Sequence, residues 1–142
     1  MVRRKYNVGK RDQSDSGEGD SASMNKALAI IFWIAAVAAP LVICAFGVSQ
    51  IPDVEQVATH WNAAGEVDKW GTPAELAGVW WVIGAAMAGT NLLLALCSLF
   101  NDKLYAMGLV HGISRENAPK LYAVLAVILV VMTAVISAAI LR

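Results

Sequence analysis

Charge is what this sequence lacks over most of its length. Only 15% of its 142 residues are Asp, Glu, Lys or Arg, against 58% hydrophobic. A soluble domain needs more charge than that to solvate its surface. The shortage is also concentrated, with no charged residue in Ala27–Val48, Leu76–Phe100 or Leu121–Leu141, runs of 22, 25 and 21 residues. A helix rises about 1.5 Å per residue and crosses the roughly 30 Å hydrocarbon core of a bilayer with about 20 residues. Buried helices of soluble proteins seldom carry uncharged runs beyond about 14 residues. The runs therefore read as three membrane spans.

Other scarcities exclude other classes. Net charge is zero, so there is no basic excess to meet nucleic acid. Cys44 and Cys97 both fall inside spans and none lies between them, which excludes a disulfide framework in the connecting loop. They read as small apolar packing residues. Of the two histidines, His60 and His111, neither has a second His or Cys at metal-ligand spacing. No Ser, Cys or further His stands near His60 to form a nucleophile–base pair. An enzyme is the least favoured class, and no metal or cofactor is expected.

What is present orders the chain. Residues 1–25 read as a cytoplasmic tail without fixed structure, since Val8–Ser23 is Gly-, Ser- and Asp-rich and buries too little to offset ordering entropy. Met24 is an alternative start. Residues 26–142 form a membrane domain with spans at 27–48, 76–100 and 121–141, a loop at 49–75 and another at 101–120. Arg3, Arg4, Lys5, Lys10, Arg11, Lys26, Lys103, Arg115 and Lys120 fall on one side, and Lys69 and Arg142 on the other. Basic residues stay inside, so the amino terminus and second loop are expected in the cytoplasm and the first loop outside. The first apolar run begins too late and runs too long for a signal peptide, so a retained anchor is expected.

Within the spans, small and polar residues carry the information. Thr72-Pro73-Ala74-Glu75 fits a capping box opening the second span, and Asn117 with Pro119 a cap for the third. Trp80 and Trp81 lie near the outer boundary, Tyr105 and Tyr122 near the inner one, where amphipathic rings are favoured. Leu104–Ile113 is too short to span. Gly84, Ala85, Ala88 and Gly89 make two small-xxx-small pairs that permit close helix approach, and Ala35/Ala39 and Ala134/Ala138 offer the same. Asn91, deep in the second span, is expected to donate to a neighbouring helix; a polar pathway through Asn91 and Thr90 is the less favoured reading. Pro40 is expected to kink the first span.

The first loop is the specific part. Thr59-His60-Trp61-Asn62-Ala63-Ala64-Gly65-Glu66-Val67-Asp68-Lys69-Trp70-Gly71 has Asn and Gly at the first and fourth positions of a type I turn. Pairing across such a turn sets His60 near Val67 and Thr59 near Asp68, with Trp61 and Trp70 giving an apolar face. A compact cap is the plainer reading: Asn62 turns the chain, the tryptophans anchor it and His60 meets a carboxylate or carbonyl. A recognition surface built from His60, Trp61, Asn62, Gly65, Asp68 and Trp70 is the functional alternative. A metal site on His60, Glu66 and Asp68 is the least favoured of the three.

An Ile51-Pro52 start, then His60-Trp61-Asn62, Gly65-Glu66, Asp68 and Trp70-Gly71, resembles domain-of-unknown-function family 1648. That domain is the amino-terminal part of SdpI-like bacterial membrane proteins. Val57-Ala58-Thr59 departs from it where members commonly carry a second Pro. The resemblance implies a multi-pass protein of the bacterial cytoplasmic membrane, and immunity or signal reception in which the outer loop meets a peptide toxin or protein partner. The expected fold class is an all-α membrane protein: three transmembrane helices with a short extracytoplasmic loop or hairpin between the first two. The competing functions are a small homo-oligomeric transporter or channel subunit packed through Gly84–Gly89, and an accessory subunit of a membrane complex.

Overall fold

The computed structural model describes the backbone of residues 15–140, with side chains from Asn25. Its elements are α1 (Asp15–Ser49), β1 (Val57–Trp61), β2 (Val67–Gly71), α2 (Pro73–Leu99), α3 (Asn101–Ala106) and α4 (Ala118–Ile140). Three stretches, Asn25–Ser49, Pro73–Leu99 and Ala118–Ile140, are long and apolar enough to cross a membrane. The chain divides into two compact units, residues 1–32 and 33–142. In the first, residues 1–14 of the expected unstructured tail lie outside the described residues. From Asp15 onward the backbone is helical, because extending a formed helix adds a hydrogen bond for each residue fixed, whereas starting one is costly.

In the second unit, α2 turns one stripe inward. Leu76, Trp80, Gly84, Ala88 and Asn91 are its buried residues, spaced at the three- and four-residue steps of one helix face. The segment of α1 opposite buries Ala36, Pro40 and Cys44, and α4 buries Ala118, Ala126, Thr133 and Ser137. A side chain at Gly84 would meet Cys44 Sγ at 3.0 Å and the Pro40 carbonyl at 3.5 Å, so the two helices approach to backbone contact there. Gly47 is tighter still: its missing Cβ would fall within the Trp80 ring.

Many large apolar side chains face outward. Val42, Phe46, Val82, Leu93 and Val135 are all exposed, the arrangement lipid favours and water does not.

This frame corrects several expectations. Of the two small-residue pairs on α2, only Gly84/Ala88 packs inward; Ala85 and Gly89 face away. On α1 and α4 the contacts come from positions one residue off the expected pairs: Ala35 and Ala134/Ala138 are exposed, and Ala39 is half-buried. Small size permits approach on any face, so the burial of neighbouring residues decides which face is used. Trp80 is a core residue, 1% exposed, and not a boundary side chain, whereas Trp81 is 46% exposed.

Asn91 is fully buried, and its Nδ2 donates to the Ala36 carbonyl across the helix pair at 2.7 Å. Ala36 stands four residues before Pro40, which has no N–H to give it. The amide thus supplies the donor that proline removed, the way proline is accommodated in a membrane helix.

Beyond α2, Phe100 ends the helix and the separate short α3 begins. Arg115 Nε donates to Asp102 Oδ1 at 2.7 Å, Asn101 Nδ2 to the Arg115 carbonyl at 3.0 Å, and the Tyr105 hydroxyl to the Ile113 carbonyl. Asn117 precedes α4: its carbonyl accepts from the Leu121 N–H and its side-chain oxygen from Lys120 Nζ.

Candidate functional site: the hairpin and the cavity beneath it

β1 and β2 form a two-stranded antiparallel sheet whose turn is built by one residue. Asn62 Oδ1 accepts from the Ala64 N–H at 2.9 Å and the Glu66 N–H at 3.0 Å. Its Nδ2 donates to Glu66 Oε2 at 3.1 Å. On the main chain, the Gly65 N–H bonds the Asn62 carbonyl and the Asn62 N–H bonds the Glu66 carbonyl. Gly65 sits at φ 81°, the left-handed conformation glycine adopts without steric cost. This is a type I turn followed by a bulge.

The bulge changes the register from the one expected. With Gly65 outside the ladder, Trp61 pairs with Val67 and His60 with Lys69, while Ala58 pairs with Trp70 and Val57 with Gly71. The expected His60–Val67 and Thr59–Asp68 pairings assumed a turn without the extra residue. A second irregularity around Thr59 leaves its hydroxyl to donate to the Lys69 carbonyl at 3.3 Å.

The candidate residues then fall into two groups. His60 Nδ1 meets Asp68 Oδ1 at 2.6 Å across the strands, both side chains exposed. With Asn62 and Gly65 they hold the hairpin's shape. Glu66 is on Asn62 and Asp68 on His60, and among the described residues no group of three His, Cys, Asp or Glu is placed to hold a metal ion. Trp61 and Trp70 belong to the second group: both line a cavity of about 390 Å³, together with Val57, Ala58, Val67 and Leu76.

The cavity also takes in residues outside the expected recognition surface. Gln50, Ile51, Pro52, Val54 and Gln56 line one side, and Trp80 and Ile140 the helix ends. The alternation Pro52-x-Val54-x-Gln56 was the available signal, a period-two pattern. Its volume falls in the ordinary range for ligand sites, about 300–1,000 Å³.

A rigid joint fixes the hairpin to the membrane domain. β2 ends at Gly71, and Thr72 caps α2 directly: its hydroxyl accepts from the Glu75 N–H at 3.2 Å, and its N–H donates to Glu75 Oε2 at 2.8 Å. Val57, Leu76, Trp80 and Cys44 form one buried cluster, with Val48, Ile51, Ile83 and Ile140 packed against it. An isolated hairpin is marginal in water; the cluster supplies the support this one needs.

Fold and site together define a protein with three membrane-spanning-capable helices and a hairpin mounted over a cavity at their ends. Residues 27–85, covering the first span, the hairpin and the start of α2, match the family described as Domain of unknown function (DUF1648), the domain family that the loop residues resemble. No curated protein and no solved structure matches the chain.

Proposed function

We propose that this chain is a non-enzymatic membrane protein of the bacterial cytoplasmic membrane whose hairpin, exposed outside the cell, recognises a peptide or protein partner in the manner of immunity or signal-reception proteins. The observation that carries the reading is the cavity: it opens beneath a hairpin braced by its own turn and by the α2 cap. Trp61 and Trp70, on opposite strands, contribute to one lining. Aromatic side chains over an apolar cavity with few polar groups suit partner capture. His60, Asn62, Gly65 and Asp68 preorganise that surface. The basic-residue distribution supports the outside placement.

Cells lacking the gene should become sensitive to a secreted peptide, and complementation with Trp61→Ala/Trp70→Ala should fail to protect at normal protein level. Unchanged survival of the deletion strain against every candidate peptide refutes the reading.

A second reading, the homo-oligomeric transporter or channel subunit, draws on the outward-facing Ala85 and Gly89. It requires a defined oligomer and solute flux in liposomes; a monomer without flux ends it.

A further inference from the structure

The segment Ser49–Glu75 carries five carboxylates, Asp53, Glu55, Glu66, Asp68 and Glu75, against the single ammonium of Lys69. Three of the five are engaged within the fold: Glu66 with Asn62, Asp68 with His60 and Glu75 with Thr72. Asp53 and Glu55 are exposed, and among the described residues neither has an ion-pair partner. They alternate with Pro52, Val54 and Gln56, which line the cavity, and among the described residues no charged one contributes to the lining itself. Among the described residues, two carboxylates without an ion-pair partner therefore stand beside a tryptophan-lined cavity. Among the described residues β2 pairs with β1 alone, so the backbone groups of its other edge are open to a further strand.

We propose that the cavity binds an extended peptide carrying apolar side chains in alternation with Lys or Arg. This inference rests on the recognition reading above and names the chemistry of its partner. An apolar side chain enters the cavity among Trp61, Trp70 and Val54. The alternating basic side chains meet Asp53 and Glu55, which alternate with the lining residues. Main-chain pairing along the free edge supplies affinity, and the alternation of a strand places apolar and basic groups on opposite sides. The open edge is what favours a peptide over a small organic cation, which has no main chain to pair.

Titration calorimetry of the full chain in nanodiscs of zwitterionic lipid tests this with three capped pentapeptides, Leu-Lys-Leu-Lys-Leu and its Gln and Glu counterparts. Two exposed ion pairs imply that the Lys peptide binds about three- to thirtyfold tighter than the Gln peptide. The Glu peptide should bind weakest, and raised salt should narrow the difference. The exposed double variant D53N/E55Q should erase the Lys-over-Gln preference while leaving the Gln peptide's affinity and the tryptophan emission unchanged. Equal binding of the Lys and Gln peptides overturns the charge selection, as does a preference that survives D53N/E55Q; either leaves peptide recognition by the hairpin standing. Binding of none of the three overturns the cavity as a peptide site, and the survival experiment then decides the wider reading separately. Should butylammonium alone displace the Lys peptide at comparable concentration, the occupant is a small cation and the peptide proposal falls.

Discussion

Pro40 and Asn91, on different helices, form one unit: the proline deprives the Ala36 carbonyl of its helical donor, and the asparagine amide replaces it at 2.7 Å. Each residue alone looks like a liability in a membrane helix, a missing hydrogen bond in one and a buried amide in the other. Together they pin α1 against α2 two helical turns from the point where Gly84 meets Cys44 and Pro40.

The pair is open to a double-mutant cycle. Asn91→Ala should destabilise the protein by about 0.6–2 kcal/mol, the range of interhelical hydrogen bonds in bilayers. Pro40→Ala restores an N–H to the Ala36 carbonyl, so Asn91→Ala made in that background should cost less. Unfolding of the four proteins in mixed micelles measures the coupling. Strictly additive effects would mean that the two residues act independently.

Gly47 makes a sharper demand. Its Cβ would fall within the Trp80 ring, so Gly47→Ala must displace a tryptophan that lines the hairpin cavity. Overpacking of this kind typically costs about 1–3 kcal/mol. Trp80 should become accessible to acrylamide in a variant retaining only that tryptophan. Unchanged quenching after the substitution would contradict the packing.

On the α3 side, pH gives a directional prediction. Arg115 hydrogen-bonds Asp102 and, with its charge, holds the aspartate carboxyl below its ordinary value; Asp102 in turn pushes the guanidinium up. A carboxyl depressed in the folded state contributes stability above its unfolded pKa and loses that contribution as pH falls through the folded pKa. Both groups are exposed, so the effect on stability is small. Carbon-13 NMR titration should show the Asp102 carboxyl rising to the ordinary aspartate range in Arg115→Gln, and no rise would remove the pair from the account.

Much of this fold was legible because lipid leaves few options. Charge-free runs of sufficient length locate the membrane-crossing stretches within a few residues, though not the start of α1 at Asp15, and Thr72-Pro73-Ala74-Glu75 locates the start of α2 because only a cap can satisfy its first N–H groups. Asn91 was legible as a donor, but not its acceptor, since the link to Pro40 depends on how two helices are placed in depth. The small-residue pairs were half legible: Gly84/Ala88 and Ala85/Gly89 have identical spacing, and only the position of α1 and α4 separates the packed pair from the outward one. In the hairpin, the Asn–Gly turn was readable, but its register was not. A single glycine in the left-handed conformation moves Val57, Ala58 and Trp61 by one partner, a second irregularity moves His60 by two, and composition does not report whether Gly65 sits inside the turn or beyond it. The cavity was least visible, because Ile51, Trp61, Leu76 and Ile140 meet there from four separate parts of the chain.

The recognition account requires the hairpin to face outward. Cysteine labelling in spheroplasts with a membrane-impermeant maleimide tests this most directly, using Lys69→Cys on β2 and Lys103→Cys on α3 in a background with Cys44 and Cys97 replaced by Ala. The account predicts labelling of position 69 in intact spheroplasts and of position 103 only after lysis. Labelling of position 103 in intact spheroplasts, with position 69 protected until lysis, would put the hairpin and its cavity in the cytoplasm and contradict recognition of any partner arriving from outside.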